Sequence, residues 1–418
     1  MGDTMITLFE NKSNCCGCGA CVQICPQKAI TMEMDEYGYK YPIINHDLCI
    51  ECNLCKRVCH YQNYSENNHP IKTYAAASKD DTLIKKSTSG GLFATIATCV
   101  LNENGVVFGA SMDFKNEKLW THHIKITDIS ELPKLQGSKY MQSDIDNCYS
   151  EAKKELNSGK FVFFSGTPCQ IAGLNGYLGK EYPNLITADV ICHGVGSVKM
   201  FQDYIEILEK KHNAKVTSFT FRDKTVGWGL DGKYTYTKNG KSFGKHLYYK
   251  LSSFYSLYIK AAFYRENCYK CKYACSHRPA DFTLGDFWGV EKSQPEVLTI
   301  NGGSINEEIG ISCMIVNTKK GIDILEKYKN SFILEPSTFE KVSAHNACLV
   351  KPTELNDTRQ KILQLYKEKG FIGVDDYYWK TVGKKKLYFK ILSVAPRGLK
   401  KSLKKLLGKK WDKMREKM

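Results

Sequence analysis

The spacing of the first cysteines constrains this chain more than any other feature of its sequence. Eighteen of the 418 residues are cysteine, and nine of them lie between residues 15 and 59. Eight of these nine form two runs with the same spacing, C-x2-C-x2-C-x3-C, which are Cys15, Cys18, Cys21 and Cys25, then Cys49, Cys52, Cys55 and Cys59. Duplicated runs of this kind hold pairs of iron–sulfur cubanes. The sequence therefore predicts an α+β ferredoxin-type domain with two [4Fe-4S] clusters over residues 1–64.

The ligand sets follow from the rule that the fourth cysteine of each run binds the other cluster. Cluster 1 is assigned to Cys15, Cys18, Cys21 and Cys59, and cluster 2 to Cys49, Cys52, Cys55 and Cys25. Gly17 and Gly19 are expected to let the loop turn tightly and to point N–H groups at the sulfurs. Cys16 is out of register and receives no role, and His60 stands where the first run has Pro26. A zinc site or unligated thiols are the alternatives, and the duplication disfavours both.

Composition excludes several classes of protein. The apolar content of 42% is sufficient for a large core, so a disordered chain is excluded. Apolar runs such as Phe161 to Phe164 are far shorter than the roughly 20 residues of a membrane-spanning helix. The N-terminus has neither the basic start nor the apolar core of a secretory signal. We therefore expect a cytoplasmic protein of two or three domains.

The rest of the chain alternates between strand and helix patterns. After a polar linker at 65–72, strands are expected near 73–78, 105–111, 119–126, 161–164 and 185–191, and helices near 91–101, 144–156 and 170–178. This order predicts an α/β core with a mixed sheet over residues 73–350. Residues 351–379 are expected to form a helical extension, and a hairpin is expected over 30–44 within the first domain.

Several motifs occur in a fixed order along this core. They are Ser87-Thr88-Ser89-Gly90-Gly91, Gly137-Ser138-Lys139-Tyr140, Phe164-Ser165-Gly166-Thr167-Pro168-Cys169-Gln170-Ile171-Ala172-Gly173-Leu174, Cys192-His193-Gly194, Cys268-Tyr269-Lys270-Cys271 and Gly285-Asp286-Phe287-Trp288-Gly289. Together with the cysteine runs, they resemble the coenzyme F420 hydrogenase/dehydrogenase beta-subunit family, over about residues 12–320. The resemblance implies an iron–sulfur flavoprotein that exchanges electrons between [4Fe-4S] clusters, FAD and a second redox partner, which is coenzyme F420 or another compound. Many bacterial relatives accompany polysaccharide-synthesis enzymes.

The resemblance also suggests where FAD would bind. Ser89, Gly90 and Gly91 open an apolar helix, and small residues at a helix N-terminus favour a pyrophosphate. The other candidate cofactor-binding residues are Gly137, Ser138, Lys139, Gly166, Thr167 and Pro168. Lys139 and His193 are the candidate catalytic residues, Lys139 for stabilising a reduced flavin and His193 as a proton donor. The alternatives without a functional role are an ordinary helix cap at Ser89 to Gly91, a solvated Lys139 and a structural His193.

A third iron–sulfur site is the hypothesis for the remaining clustered cysteines. Cys268 and Cys271 form a C-x2-C pair that needs two more ligands, and Cys169 and Cys192 stand at a helix start and a strand end. Cys275 is a further candidate. A thiol at a helix N-terminus tends toward the thiolate, which suits a metal ligand. The alternatives are a zinc site or small buried residues.

Most of the net charge of +16 lies in the C-terminal tail. Residues 380–418 contain 15 basic and 2 acidic residues, so a DNA-binding face is not indicated and nucleic acid is an unfavoured partner. Apolar residues recur on one face of a basic amphipathic helix, at Leu399, Leu403, Leu406, Leu407, Trp411, Met414 and Met418. This pattern favours attachment to an anionic surface on the inner face of the membrane, and a solvated tail is the alternative.

The sequence thus favours an FAD- and 4Fe-4S-dependent oxidoreductase whose redox partner is a protein or a small electron carrier. Two alternatives stay open. One is a non-catalytic electron-transfer subunit, and the other is a membrane-side component of a polysaccharide-synthesis system.

Overall fold

A computed structural model describes residues 6–65, 68–395 and 399. The chain divides into two compact units, and each is described by itself. Unit 1 comprises residues 1–199 and 264–355, and unit 2 comprises residues 200–263 and 356–418. This division differs from the predicted boundaries, because residues 200–263 leave the predicted core at 73–350 and associate with the C-terminal region instead.

Thirteen strands are present in the described residues. They are β1 (Ile30–Met34), β2 (Lys40–Ile44), β3 (Lys72–Ser78), β4 (Val106–Lys115), β5 (Lys118–Ile126), β6 (Val162–Gly166), β7 (Leu185–Val190), β8 (Lys215–Thr220), β9 (Gly232–Lys238), β10 (Lys241–Leu247), β11 (Phe282–Asp286), β12 (Ser312–Val316) and β13 (Phe332–Ser337).

Fourteen α-helices are present in the same part of the chain. They are α1 (Ala20–Ile24), α2 (Leu54–Arg57), α3 (Asp81–Lys86), α4 (Leu92–Asn102), α5 (Leu132–Leu135), α6 (Cys148–Asn157), α7 (Pro168–Leu178), α8 (Val198–His212), α9 (Ser253–Ile259), α10 (Val290–Ser293), α11 (Lys319–Tyr328), α12 (Phe339–Ser343), α13 (Thr358–Val382) and α14 (Lys385–Val394).

The N-terminal region has the predicted ferredoxin-type arrangement. Strands β1 and β2 form an antiparallel hairpin in which Ile30 pairs with Ile44, and Gly38 takes a positive φ of 81° at the turn. The short helices α1 and α2 each begin within a cysteine run and contact one another. The predicted α+β ferredoxin-type fold of this region is confirmed.

A mixed eight-stranded sheet is the centre of unit 1. Its strand order is β13-β3-β12-β11-β7-β6-β4-β5. Strands β4, β6, β7 and β11 are mutually parallel, whereas β5, β12 and β13 run antiparallel to their neighbours. The predicted mixed sheet is therefore confirmed, and parallel strands place their carboxyl ends at one shared edge, where ligands bind in such sheets.

Alternating side chains cover both faces of this sheet. Val106 and Phe108 pack toward helices α6 and α7, and Val107 between them packs toward α4 and α5. This period of two is what a strand buried on both faces requires. All three side chains are fully buried. The sheet therefore supplies a rigid base for the loops at its edges.

Helix α7 illustrates how local sequence sets an element that positions the site. Thr167 is its N-cap and forms a capping box with Gln170, and Pro168 occupies the first turn. The helix ends at Gly179, which has a φ of 68°. A proline at the start and a glycine just past the end are typical helix boundaries. The first turn of α7 therefore has a fixed position directly after β6.

The helix expected from residue 144 begins at Cys148 instead. The Asp144 carboxylate accepts hydrogen bonds from Lys40 Nζ at 2.6 Å and from Trp120 Nε1 at 2.7 Å. Its backbone also donates to the Thr121 carbonyl, as an added bridge at the sheet edge. These contacts hold Asp144 in extended backbone, which delays the helix.

Unit 2 contains an antiparallel sheet of order β10-β9-β8, residues 200–212 of α8, and helices α9, α13 and α14. Its core is aromatic, and Phe201, Phe221 and Phe254 are fully buried. Gly370 interrupts α13 with non-helical angles. In the described ranges no helix is long and apolar enough to cross a membrane. The predicted amphipathic tail helix lies outside the described residues except for Leu399.

Candidate functional site

The cluster 1 cysteines lie around one loop and receive backbone hydrogen bonds, as the glycine pattern predicted. The Gly17 amide, on a residue with φ of 69°, donates to the Cys15 sulfur, and the Ala20 amide donates to Cys18. Amides near Gln62 donate to Cys59. Burial raises the pKa of Cys15, Cys21 and Cys59, and the neighbouring thiols raise it further. Iron that replaces these protons would supply the positive charge that the crowded thiolates need.

The cluster 2 cysteines form a neighbouring group nearer to solvent. Cys55 is buried and interacts electrostatically with Cys49 and Cys25, while Cys52 is exposed. The Ala29 amide donates to the Cys25 sulfur at 3.3 Å. Cys25 therefore lies near Cys55, and the crossed ligand assignment stays a prediction.

A third group of cysteines surrounds one cavity, and we call these four residues the cavity cysteines. They are Cys169, Cys192, Cys268 and Cys271. The cavity has an empty volume of about 510 Å³, part of it open to solvent, and its other lining residues include Thr167, Pro168 and Tyr273. Four thiols from three separated segments thus line one cavity.

Three parts of unit 1 position the four cavity cysteines. Cys169 is the second residue of α7, Cys192 lies two residues beyond β7, and Cys268 and Cys271 lie on and after the 3-10 helix Glu266–Lys270. The strand ends that carry the first two meet at the carboxyl edge of the sheet. Cys275 is not among the residues that line the cavity, and its sulfur donates to the carbonyl oxygens of Lys272 and His277.

The cavity cysteines influence one another electrostatically. Burial raises the pKa of Cys192, Cys268 and Cys271, and the other thiols raise it further. A hydrogen bond with Cys16 lowers the pKa of Cys169, and Thr167 Oγ1, 3.1 Å from the Cys169 sulfur, lowers it as well. Cys169 is therefore the member of the group that ionises most readily.

No three His, Cys, Asp or Glu side chains in the described ranges converge closely enough to hold a single metal ion. A cubane differs from a single ion because each of its cysteine ligands binds a different iron. Its thiolates therefore surround a volume rather than a point, as the cavity cysteines do.

The residues proposed for FAD lie in two loops that contact each other. Thr88 Oγ1 and Ser138 Oγ are 3.0 Å apart. The Ser89 hydroxyl donates to the Ile311 carbonyl, and the Gly90 amide donates to Ser312 Oγ. Gly91, the N-cap of α4, has a φ of 84° and no side chain to bond the first-turn amides. The structure thus brings the first and second glycine motifs together at an uncapped helix N-terminus.

Gly137 and Lys139 differ in their surroundings. A Cβ on Gly137 would meet no atom within 4 Å, so open space adjoins this loop. Lys139 Nζ instead donates to the carbonyl oxygens of Lys134, Leu135 and Gln136, at 3.2, 3.0 and 2.8 Å. It therefore caps α5, while burial lowers its pKa to about 7.

His193 pairs with a cysteine that the sequence analysis left without a role. Its Nδ1 lies 3.2 Å from the Cys348 sulfur, and this contact raises the pKa of His193. The Thr353 hydroxyl donates to the His193 carbonyl at 2.7 Å. His193 and Thr353 also line the cavity of the four cysteines. The pair places a proton-bearing group at the rim of that cavity.

Two residues at this site had no signal that sequence reasoning could use. Cys16 is buried and shares hydrogen bonds with Cys18 and Cys169, so it lies between cluster 1 and the cavity cysteines. Arg265 is buried beside Cys15, although 250 residues separate them in sequence. Neither residue belongs to a spacing pattern, and only the fold brings them to the site.

Two family models match the chain. Residues 14–63 match the 4Fe-4S dicluster domain, and residues 159–342 match the C terminus of the coenzyme F420 hydrogenase/dehydrogenase beta subunit. The first match confirms that the N-terminal region carries [4Fe-4S] clusters. The second agrees with the resemblance drawn from the motifs.

Individual relatives are more distant. The chain is 23% identical over 243 residues to a subunit of F(420)H(2) dehydrogenase from Methanosarcina mazei, covering 54% of this chain and 65% of that protein, so it spans just under two thirds of that relative. It is 28% identical over 81 residues to an uncharacterized ferredoxin of Methanocaldococcus jannaschii, covering 19% of this chain and 97% of that protein.

A solved structure of the F420-reducing [NiFe] hydrogenase complex from Methanosarcina barkeri contains a chain with 18% identity and a TM-score of 0.41. The match covers 77% of this chain and 94% of that one. A similarity at this level adds no argument to the family matches. Those matches show that residues 14–63 are similar to 4Fe-4S dicluster domains and that residues 159–342 are similar to the C terminus of coenzyme F420 hydrogenase/dehydrogenase beta subunits.

Proposed function

We propose that this chain is an iron–sulfur flavoprotein oxidoreductase with three [4Fe-4S] clusters and one FAD. The observation that carries the proposal is the convergence of the four cavity cysteines beside the cluster 1 loop. Clusters 1 and 2 are assigned to the two crossed cysteine sets, and the third to Cys169, Cys192, Cys268 and Cys271. Iron–sulfur clusters exchange single electrons, and FAD, when bound, exchanges single electrons with clusters and pairs of electrons with organic molecules.

The FAD site is proposed at the two contacting glycine loops. The uncapped start of α4 offers backbone N–H groups to a pyrophosphate, and the hydroxyls of Thr88 and Ser138 are available beside it. The open space next to Gly137 leaves room for the ligand. Lys139 holds the backbone of this loop in place through its three carbonyl contacts. These residues fit the group.

The substrate class is proposed from the family. Its name and that of the M. mazei relative point to coenzyme F420, and we propose a small organic electron carrier of this type. His193 is proposed as a proton-holding group at the cavity rim, positioned by Cys348 and Thr353. A redox partner protein is the alternative to this small carrier.

A flavin count tests the enzyme proposal. Protein purified without oxygen is expected to release about one FAD per chain, identified by chromatography. Ser138→Ala combined with Lys139→Met is expected to lower that content, whereas Lys134→Met, at an exposed lysine paired with Glu131, is expected to leave it unchanged. Reduction of added coenzyme F420 is then followed by absorbance. Full iron without flavin, even after reconstitution, would identify an electron-transfer subunit instead.

A membrane-surface role is proposed for unit 2, because a described helix supports it. Leu387, Ile391 and Val394 on α14 are 66%, 42% and 83% exposed and recur at helical spacing. On the other side of the helix, Phe389 and Leu392 are buried with Tyr248. Residues 200–263 and 356–418 together contain 30 basic and 11 acidic residues, so all of the chain's excess positive charge lies in this unit.

Vesicle flotation tests this role. The full chain is expected to float with vesicles that contain phosphatidylserine and to stay behind with purely zwitterionic vesicles. Leu387→Gln combined with Ile391→Gln is expected to weaken vesicle binding. Ile300→Gln, at an exposed position of unit 1, is expected to have no effect. Equal flotation with both vesicle types, or none with either, would refute the proposal.

A further inference from the structure

Arg265 is a buried cation that contacts no carboxylate within the described ranges. Its side chain is fully buried, and its Nε donates to the Cys15 carbonyl at 3.1 Å. Its Nη1 donates to the Lys40 carbonyl at 2.8 Å and to Gln142 Oε1 at 3.0 Å. The guanidinium carbon also lies 4.0 Å from the centre of the Tyr41 ring. These oxygens are neutral, and buried charges are normally paired, so the positive charge is left for another anionic group.

The sulfurs of the proposed iron–sulfur sites are the anionic groups in reach. Nη2 of Arg265 lies 3.8 Å from the Cys15 sulfur of cluster 1. The same cation acts electrostatically on Cys16 and on Cys268, one of the cavity cysteines. A Cβ on Gly17 would come within 2.9 Å of the guanidinium, so the cluster 1 loop is shaped to let it approach.

The two sites that share this cation are themselves close together. A Cβ on Gly173 of α7 would lie 2.9 Å from the Cys18 sulfur, and Cys169 is one helical turn before Gly173. Cys16 forms hydrogen bonds with both Cys18 and Cys169. A single charge placed between these loops therefore acts on both groups of thiolates.

Arg278 provides an internal comparison. It is also buried, but its Nη2 lies 2.8 Å from the buried carboxylate of Asp189, which partly compensates its charge. Arg265 has no such partner among the described residues that contact it. Both charges act on nearby sulfurs, but only Arg278 also has a carboxylate to compensate it.

We propose that Arg265 sets the reduction potentials of cluster 1 and of the cluster at the cavity cysteines together. Reduction adds one electron and no proton to a cluster, so the reduced state is more negative and an uncompensated cation favours it. Cluster potentials depend on nearby charge, on hydrogen bonds to sulfur and on burial. The cluster 1 part rests on the 4Fe-4S dicluster match, and the second part rests on the proposed function.

The test is a redox titration of the anaerobically purified full chain, with dithionite as reductant and EPR as readout. Arg265→Gln is expected to lower the equilibrium constant for one-electron reduction of both clusters at least tenfold. This corresponds to a fall in each reduction potential of at least about 59 mV. Arg265→Lys keeps the charge and is expected to shift both less. Arg57→Gln, at an exposed position on α2, removes a surface charge near the clusters and is expected to change neither.

The outcomes are separable. Arg265→Met is measured in parallel, because an apolar side chain of similar length leaves no polar group unpaired. Unchanged reduction potentials in iron-replete Arg265→Gln and Arg265→Met would overturn the proposal. A shift in Arg265→Lys as large as the shift in Arg265→Gln would overturn it as well. So would loss of iron from both neutral variants but not from Lys, because the guanidinium would then serve assembly. If the wild type contains only two clusters and the neutral Arg265 variants still shift the potential of cluster 1, the third cluster is refuted. The role of Arg265 at cluster 1 is then retained.

Discussion

Replacing Arg278 should destabilise unit 1 and loosen the loop that carries Cys268 and Cys271. The Arg278 guanidinium contacts Asp189 at 2.8 Å, and both side chains are essentially without exposure to solvent. Its Nη1 donates to the Tyr273 carbonyl at 2.6 Å, and its Nη2 donates to the Val190 carbonyl at 3.1 Å. The side chain therefore joins the C-x2-C loop to the end of β7, two residues before Cys192.

The magnitude follows from the burial of the pair. Removing one partner of a buried ion pair leaves the other charge unpaired and costs about 3–5 kcal/mol. Arg278→Met is expected to lower the free energy of unfolding by that amount. Combining it with Asp189→Asn removes the stranded charge, and the double variant is expected to recover about half of the loss. The two substitutions are therefore strongly non-additive.

The assay is urea unfolding of the anaerobic protein followed by circular dichroism, with iron content measured on the same samples. Lys329→Met is the control, because its ion pair with Glu326 is more than half exposed and is worth about 0.5 kcal/mol or less. A loss below about 1 kcal/mol in Arg278→Met, or a double variant less stable than that single variant, would contradict this reasoning.

Two further predictions concern packing and pH. Gly173→Ala is expected to cost about 1–3 kcal/mol and to reduce iron loading at cluster 1, because its Cβ would meet the Cys18 sulfur at 2.9 Å; Gly179→Ala, whose Cβ meets nothing within 4 Å, is the comparison for loading. Buried His123 has a pKa lowered to about 4, so the unfolded chain binds more protons between pH 6.5 and 4. Stability is expected to fall by about 3 kcal/mol as pH drops through that window, and pH-dependent unfolding of His123→Gln should show a flatter profile.

The sequence predicted elements whose signals are local. The cysteine spacing, the strands and the helix expected near 170–178 depend on a few neighbouring residues, and the structure contains these strands and this helix. The start of α6 was misplaced, because Asp144 is held by Lys40, more than 100 residues earlier in the chain. Periodicity carries no information about such a contact.

The candidate site follows the same division. The cavity cysteines could be proposed from a C-x2-C pair and two element ends, because parallel strands bring their carboxyl ends together. Arg265 and Cys16 could not, since long-range packing alone places them beside the sulfurs. The separation of residues 200–263 from the core was also invisible, because an insertion in a sheet keeps the strand and helix patterns on both sides of it.

The most direct test of the central claim is iron and sulfide per chain in anaerobically purified protein. About twelve irons are expected for the wild type, four in each of three clusters, and about eight after Cys268→Ser with Cys271→Ser. Cys99→Ser, at a cysteine whose sulfur lies near Ser331 Oγ, should keep about twelve. About eight irons in the wild type, unchanged by the double substitution, would contradict the assignment of a cluster to the cavity cysteines.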